Sequence, residues 1–410
     1  MRETGRPGDR RHPSGGAGRI SPHRVRDGFQ GLDVASKPCK SIDNLKALAF
    51  AMPRSANART REATMNQRSC QRTLLSLPCP VQCLILSGLV IGLSFTGCGR
   101  GAGSDDDGLR VAMIPKGTSH VFWKSVHAGA VKAQRELEAA GTVVDLVWKG
   151  PLKEDDRSAQ ISVVENFMSQ QVDGIALAPL DDVALIAPVE RATRSGVPVV
   201  IFDSGLNSDQ IVSFVATDNF RGGQRAGEYL GTLLEGKGKV ILLRYMEGSA
   251  STQKREAGFL DAIGKYPDIE IISDNIYAGA TRATAQESSE NLLNRFGADV
   301  DGIFCPNESS TVGMLLALRR YGRGGGDVKF VGFDGGDQNM EALRAGDIQG
   351  LILQDPFNMG YLALTITVQN VQGEAVETRI DTGSTLITLE NVDEPAMQAL
   401  INPPLDQYLN

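Results

Sequence analysis

Two aspartates in matching settings are the residues of this chain best placed to do chemistry. Pro198-Val-Val-Ile-Phe-Asp203-Ser204 and Val328-Lys-Phe-Val-Gly-Phe-Asp334-Gly-Gly each carry an apolar run that stops at Phe-Asp. A run that is apolar on both faces reads as a strand inside a parallel sheet, and open α/β sheets hold small molecules outside the carboxyl ends of such strands. Asp203 and Asp334 are therefore expected to face one cleft, each presented by one of two similar lobes. A carboxylate in that position accepts hydrogen bonds from hydroxyls. No nucleophile paired with a base accompanies either aspartate, so the expected task is holding a ligand, not transforming it.

Other strand ends add to the set. The first strand runs into Pro115-Lys116-Gly117-Thr118-Ser119-His120 and then Phe122-Trp123, and the second ends in Trp148-Lys149-Gly150-Pro151. Sugars offer apolar C–H faces and rings of hydroxyls, which flat aromatics and polar side chains can hold together. Lys116, His120, Phe122, Trp123 and Trp148 are candidates on that ground. Several catalytic signatures are missing. Gly231-Thr-Leu-Leu-Glu-Gly236-Lys237-Gly238 approaches a phosphate loop but ends in Gly and sits after a helix, the reverse of the required order. With four His in the chain and only Cys305 in its body, no metal-ligand spacing occurs, and no cofactor is expected.

The elements that must position these residues alternate regularly. Strands at 109–114, 143–148, 172–177 and 198–202 are separated by helical patterns at 122–140, 156–171 and 181–194. A shorter strand at 210–216 leads into a second series, with strands at 239–243, 269–276, 300–305 and 328–333. Such alternation predicts an α/β fold of two doubly wound parallel-sheet lobes. The N-terminal lobe is expected to take residues 109–216 plus 355–388, and the C-terminal lobe 217–354 plus 389–410. Hinges are expected near Ala216-Thr217, at Gln354-Asp355 and at a last crossover.

Charge divides the chain sharply. Residues 1–98 hold 15 Lys/Arg against 6 Asp/Glu, whereas residues 99–410 hold 27 against 43. The acidic body argues against a nucleic-acid partner, which would need clustered cations. Residues 1–64, rich in Arg, Gly, Pro and Ser, read as a disordered or mis-assigned extension. Met65 opens a basic segment followed by an apolar core from Val81 to Phe95, the pattern of a signal peptide over 65–98. Phe95-Thr96-Gly97-Cys98 resembles the lipobox of bacterial lipoproteins, with Phe95 where Leu is usual. The resemblance implies acylation at Cys98, a polar tether over 99–108, and a body outside the cytoplasm, at the periplasm or cell surface.

The body as a whole resembles the periplasmic sugar-binding family typified by ribose-binding protein, over about residues 109–390. Val200-Ile-Phe-Asp203-Ser204, Ala216-Thr-Asp218-Asn219, Gly248-Ser-Ala-Ser251 with Arg255-Glu-Ala-Gly258-Phe259, Asn307-Glu308, Val331-Gly-Phe-Asp334-Gly335 and Leu353-Gln354-Asp355-Pro356 carry it. It implies sugar contacts from Asp203, Asn307, Asp334 and Gln354. Ser204, Gln253 and His120 stand where ribose binders have Arg, Arg and Asn, which argues against ribose. Ile114-Pro115-Lys116 and Lys149-Gly150-Pro151 resemble the branch of rhamnose and autoinducer binders, in which the lysine at the position of Lys116 reaches the ligand. The implied protein is a monomeric, non-enzymatic solute-binding component of an ABC transporter, working with a membrane permease. A sensor module for a membrane receptor or kinase would carry the same pocket. A transcription regulator would need a DNA-binding N-terminus, against which the apolar stretch 81–95 argues.

Overall fold

The computed structural model describes residues 108–409. The expected extension, the signal segment with Cys98 and nearly all of the tether lie outside the described residues. The chain first lays down β1 (Leu109–Ile114), α1 (Val121–Ala139), β2 (Val144–Trp148), α2 (Arg157–Ser169), β3 (Gly174–Leu177), α3 (Ile186–Arg194), β4 (Val199–Phe202) and β5 (Ser213–Ala216). It then builds a second series of α4 (Asn219–Leu233), β6 (Lys237–Arg244), α5 (Ala250–Ile263), β7 (Asp268–Tyr277), α6 (Arg282–Phe296), β8 (Gly302–Phe304), α7 (Glu308–Tyr321), β9 (Lys329–Phe333), α8 (Asp337–Ala345) and β10 (Gly350–Gln354). The remainder forms α9 (Pro356–Val371), β11 (Arg379–Asp381), β12 (Ser384–Ile387), α10 (Pro395–Ile401) and α11 (Leu405–Leu409).

Two six-stranded sheets result, ordered β11-β5-β4-β3-β1-β2 and β12-β10-β9-β8-β6-β7. Every pairing is parallel except that of β12 with β10. The continuous apolar runs are explained by burial on both faces. Successive side chains of a strand point to opposite sides, so Val111 and Met113 join one core while Ala112 and Ile114 join the other. In the second lobe Ile241 and Leu243 separate from Val240 and Leu242 in the same way.

Helix α9 returns to the first lobe, where Met359, Ala363, Leu364, Ile366 and Val368 complete a core face. Its start is fixed by Asp355, whose Oδ1 accepts from Asn358 N at 2.9 Å, and by Pro356 at the first helical position. Both lobes have helix crossings bedded on glycine. A Cβ on Gly129 of α1 would lie 1.8 Å from Phe357 O, and one on Gly223 of α4 would lie 1.9 Å from Arg255 O.

The lobe boundaries at the C-terminal end differ from expectation. Residues 384–387 belong to the second lobe, because Thr382 and Gly383, the latter at φ 78, turn the chain from β11 across to pair with β10. Of the stretch expected in the second lobe, residues 389–409 are likewise shared. Met397 and Ile401 of α10 pack on the second lobe's core, but α11 docks on the first lobe, where Arg135 Nη1 donates to Gln407 O at 2.8 Å. Helix α3 begins at Ile186 rather than Asp181, since Asp181 Oδ1 closes a preceding turn by accepting from Val183 N and Ala184 N.

Four crossings join the lobes, at 216–219, 354–356, 381–384 and 400–407. Two of them are laced together. Thr217 Oγ1 donates to Gly383 O at 3.0 Å, Thr382 N donates to Ala216 O at 3.1 Å, and Asp381 Oδ1 accepts from Asp218 N at 2.9 Å.

Candidate ligand-binding site

The two aspartates arrive by the same device. Asp203 follows β4 at φ 60 and Asp334 follows β9 at φ 66, so each strand breaks into the left-handed region at its last step. Asp is one of the few side chains besides Gly that adopts that region with ease, and the break turns each carboxylate into the cleft between the lobes. There they line one cavity with Lys116, His120, Phe122, Trp123, Asn307 and Gln354.

Lys116 Nζ lies 3.0 Å from Asp203 Oδ2, with both side chains about 5% exposed. The same ammonium donates to Ser251 Oγ at 3.0 Å across the cleft, so it ties the ion pair of one lobe to α5 of the other. Asp334 is held within the second lobe. Its Oδ1 accepts from Gln354 Nε2 at 2.7 Å, and Arg255 Nη1 stands 3.6 Å from Oδ2. Burial pushes the Asp334 carboxyl above its ordinary pKa, against the pull of Arg255 and Gln354. Gln354 Oε1 is buried with no partner among the described residues, an acceptor left free for a ligand.

His120 caps α1 by accepting from Phe122 N on Nδ1 at 3.1 Å, which leaves Nε2 to face Glu308 Oε2 at 2.7 Å across the cleft. Burial alone would lower the imidazole pKa. The hydrogen bond to Glu308 and the charges of Glu154, Glu308 and Asp334 outweigh it and carry the value above the ordinary one. For Glu308 burial opposes ionisation, yet His120 and Arg282 together hold its carboxyl below the usual range. Asn307 caps α7 with Oδ1 accepting from Ser310 N at 3.2 Å while its side chain borders the cavity.

Three expected contacts lie elsewhere. Trp148 stacks on His127 at 4.5 Å and 10°, on the α1 side of its strand, away from the cleft. Ser204 is fully buried, and its Oγ accepts from Ser251 N at 3.1 Å, making it a joint between the lobes and not part of the cavity wall. Gln253 is exposed. On α5 the inward face is set by the helical period, which brings Ser251, Thr252 and Arg255 to the cleft and turns Gln253 out. The buried guanidinium is thus Arg255, donating to Asn219 Oδ1 at 2.7 Å and Pro306 O at 3.0 Å.

Glu154 and Tyr245 complete the wall, neither of them expected. Trp123 Nε1 donates to Glu154 Oε1 at 2.7 Å and Tyr245 OH to Oε2 at 2.9 Å, so one carboxylate bridges the lobes through two neutral donors. Tyr245 directly follows β6, the same strand-end position that marks Asp203. The signal was therefore present in the sequence. With these groups meeting one another across the cleft the cavity measures about 30 Å3, room for one or two waters. The lobes stand closed.

Residues 111–375 match the periplasmic binding protein domain family. The chain belongs to that family. Its relatives include the xylitol-binding protein of Mycolicibacterium smegmatis, 28% identical over 304 residues that cover 74% of this chain and 84% of the relative. The ribose import binding protein of Haemophilus influenzae is 28% identical over 66% of this chain and 88% of its own. Among solved structures, the periplasmic component of an ABC-type sugar transport system from Hahella chejuensis is 35% identical with a TM-score of 0.65, covering 68% of this chain and 99% of that one. A carbohydrate transporter solute-binding protein from Agrobacterium radiobacter, in complex with D-arabinose, is 32% identical with a TM-score of 0.67, over 72% of this chain and 99% of that one. The two-lobed α/β architecture of this periplasmic binding protein is that of its type I relatives.

Proposed function

We propose that this periplasmic binding protein is the extracytoplasmic solute-binding component of an ABC transporter and closes its lobes on a neutral sugar or polyol. The observation that carries the reading is the convergence of Asp203 and Asp334 from opposite lobes onto one cavity, beside the unpartnered Gln354 Oε1. The carboxylates accept from ligand hydroxyls, Asn307 and Gln354 offer mixed donors and acceptors, and Phe122 and Trp123 supply the apolar face. A ligand enters by exchanging its hydroxyls for the contacts these groups make with each other. Differential affinity for the closed form then reports occupancy to a permease.

The charge balance favours a neutral ligand. Lys116 is paired with Asp203 and Arg255 with Asp334, while among the described residues Glu154 is held by neutral donors alone. A sugar acid would add a second anion beside Glu154. Attachment through an acyl chain on Cys98, action as a monomer, and return of the ligand unchanged belong to the same reading.

The test is thermal denaturation of the purified full-length chain against pentoses, hexoses, deoxysugars, polyols and uronates. Binding to the folded state alone raises the melting temperature. A shift with neutral compounds and none with uronates is expected; no shift with any neutral sugar or polyol would end this reading.

A further inference from the structure

Beside the inner cavity lies a second, much larger space. Its volume is about 450 Å3, within the roughly 300–1,000 Å3 of pockets that hold small organic ligands. It shares His120, Phe122, Asp334 and Gln354 with the inner cavity, so these four side chains form the wall between the two. The floor is the start of α1 on one lobe and Gly335, Gly336 and Asp337 on the other.

The roof is the connection from α10 to α11. Residues 400–407 cross from the second lobe, where Ile401 is packed, to the first, where Arg135 Nη2 donates to Tyr408 O at 3.3 Å and Phe357 meets the Tyr408 ring at 5.6 Å. Pro403 and Pro404 stiffen the span. A roof tied to both lobes holds this chamber open in the closed form, while the inner cavity contracts to space for one or two waters. The walls are mixed. Val121, Leu353, Leu400 and Leu405 offer apolar faces, and Asp337 and Asp406 offer hydroxyl acceptors.

We propose that this outer chamber is a second subsite, and that the physiological ligand is a sugar carrying a further ring, as in a disaccharide. One ring occupies the inner cleft and the second ring the chamber. The inference rests on the sugar-binding reading above and deepens it. A second ring has the C–H faces and hydroxyls that the mixed wall suits. The link between rings passes Gln354, which lines both spaces.

The test is calorimetric titration of the full-length chain with glucose, galactose, xylose and arabinose, and with disaccharides built from them. At least one disaccharide is expected to bind tenfold or more tightly than either of its component monosaccharides. Val121→Trp fills the chamber from a helix start that is 40% exposed, and should bring that disaccharide down to the monosaccharide's affinity while leaving the monosaccharide within twofold. Should Val121→Trp fold poorly, Asp406→Trp fills the same space from the exposed roof. Monosaccharides binding as tightly as every disaccharide would overturn the second subsite and leave the first reading standing. An equal loss for both ligand sizes in the filled variants would also overturn it. No binding by either panel would overturn both.

Discussion

Asp203 and Asp334 look equivalent in sequence, and replacing each by Asn separates their physical roles. Asn is the appropriate probe because it removes the charge and still accepts the left-handed backbone at φ 60 and φ 66. Ala at either position would add backbone strain to the loss of charge. In Asp203→Asn the Lys116 ammonium stays about 5% exposed and keeps neutral partners alone, the new amide oxygen and the hydroxyls of Ser251 and Ser249 at 3.0 and 3.5 Å. Breaking a buried pair from one side costs about 3–5 kcal/mol, and the serines reduce that to the lower end, about 3 kcal/mol. In Asp334→Asn the guanidinium of Arg255 keeps Asn219 and Pro306 O, and the lost carboxylate oxygen was 3.6 Å away. Burial already disfavours the charged form of Asp334. The cost there should be about 1 kcal/mol or less, the range of an ordinary hydrogen bond. At about 2–4 °C per kcal/mol for a chain of this size, unliganded Asp203→Asn should melt about 6–12 °C below wild type, and Asp334→Asn within about 4 °C of it. Both should bind the ligand at least tenfold more weakly. Equal melting shifts for the two variants would refute the pairing argument, and unchanged affinity in both would remove these residues from the site.

His120 and Glu308 should give stability a pH signature. The His120 value is raised in the folded state, so its contribution is complete below its ordinary value of 6.5 and is lost as pH rises through the raised value. That of Glu308 is lowered, so its contribution is present above its ordinary 4.5 and is lost as pH falls through the lowered value. The melting gap between wild type and His120→Gln should narrow from pH 6 to pH 8.5; a constant gap would show that the imidazole does not titrate there. Tyr245→Phe leaves Glu154 Oε2 without its donor from the other lobe, and should weaken ligand affinity by several-fold, read by calorimetry, with little change in the melting temperature of the unliganded protein. Gly223→Ala drives a methyl into Arg255 O and should destabilise by about 1–3 kcal/mol as overpacking does, with Gly129→Ala showing the same against Phe357 O; thermal melts check both.

The strand-helix order, the two sheets and the paired aspartates were legible because buried parallel strands write themselves as apolar runs with polar stops. What failed was fine register. Gln253 and Arg255 are two residues apart on α5, roughly 200° around a helix, so choosing between them needed the inward face, which Ser251, Thr252 and Phe259 define. Trp148 ends a strand as Asp203 does, but it occupies an edge strand, and an edge position depends on strand order, which periodicity does not contain. The small β11 and β12 were equally hard to separate. Each is three or four residues long, and only the turn at Gly383 assigns them to different sheets. Glu154 sits in the loop after β2, with no strand end to mark it, and its role depends on Tyr245 arriving from the other lobe.

The weaving of the chain through its four crossings has a consequence for the order of assembly. The first lobe's core lacks one face until α9 has been made, and its sheet lacks an edge until β11 is in place. Those elements lie at residues 356–381, beyond the entire second series. Vectorial synthesis therefore cannot finish the first lobe first, and its last native contacts close loops of well over a hundred residues, the kind of topology that slows folding. The nascent chain should remain incompletely folded, and accessible to chaperones, until almost its whole length has emerged.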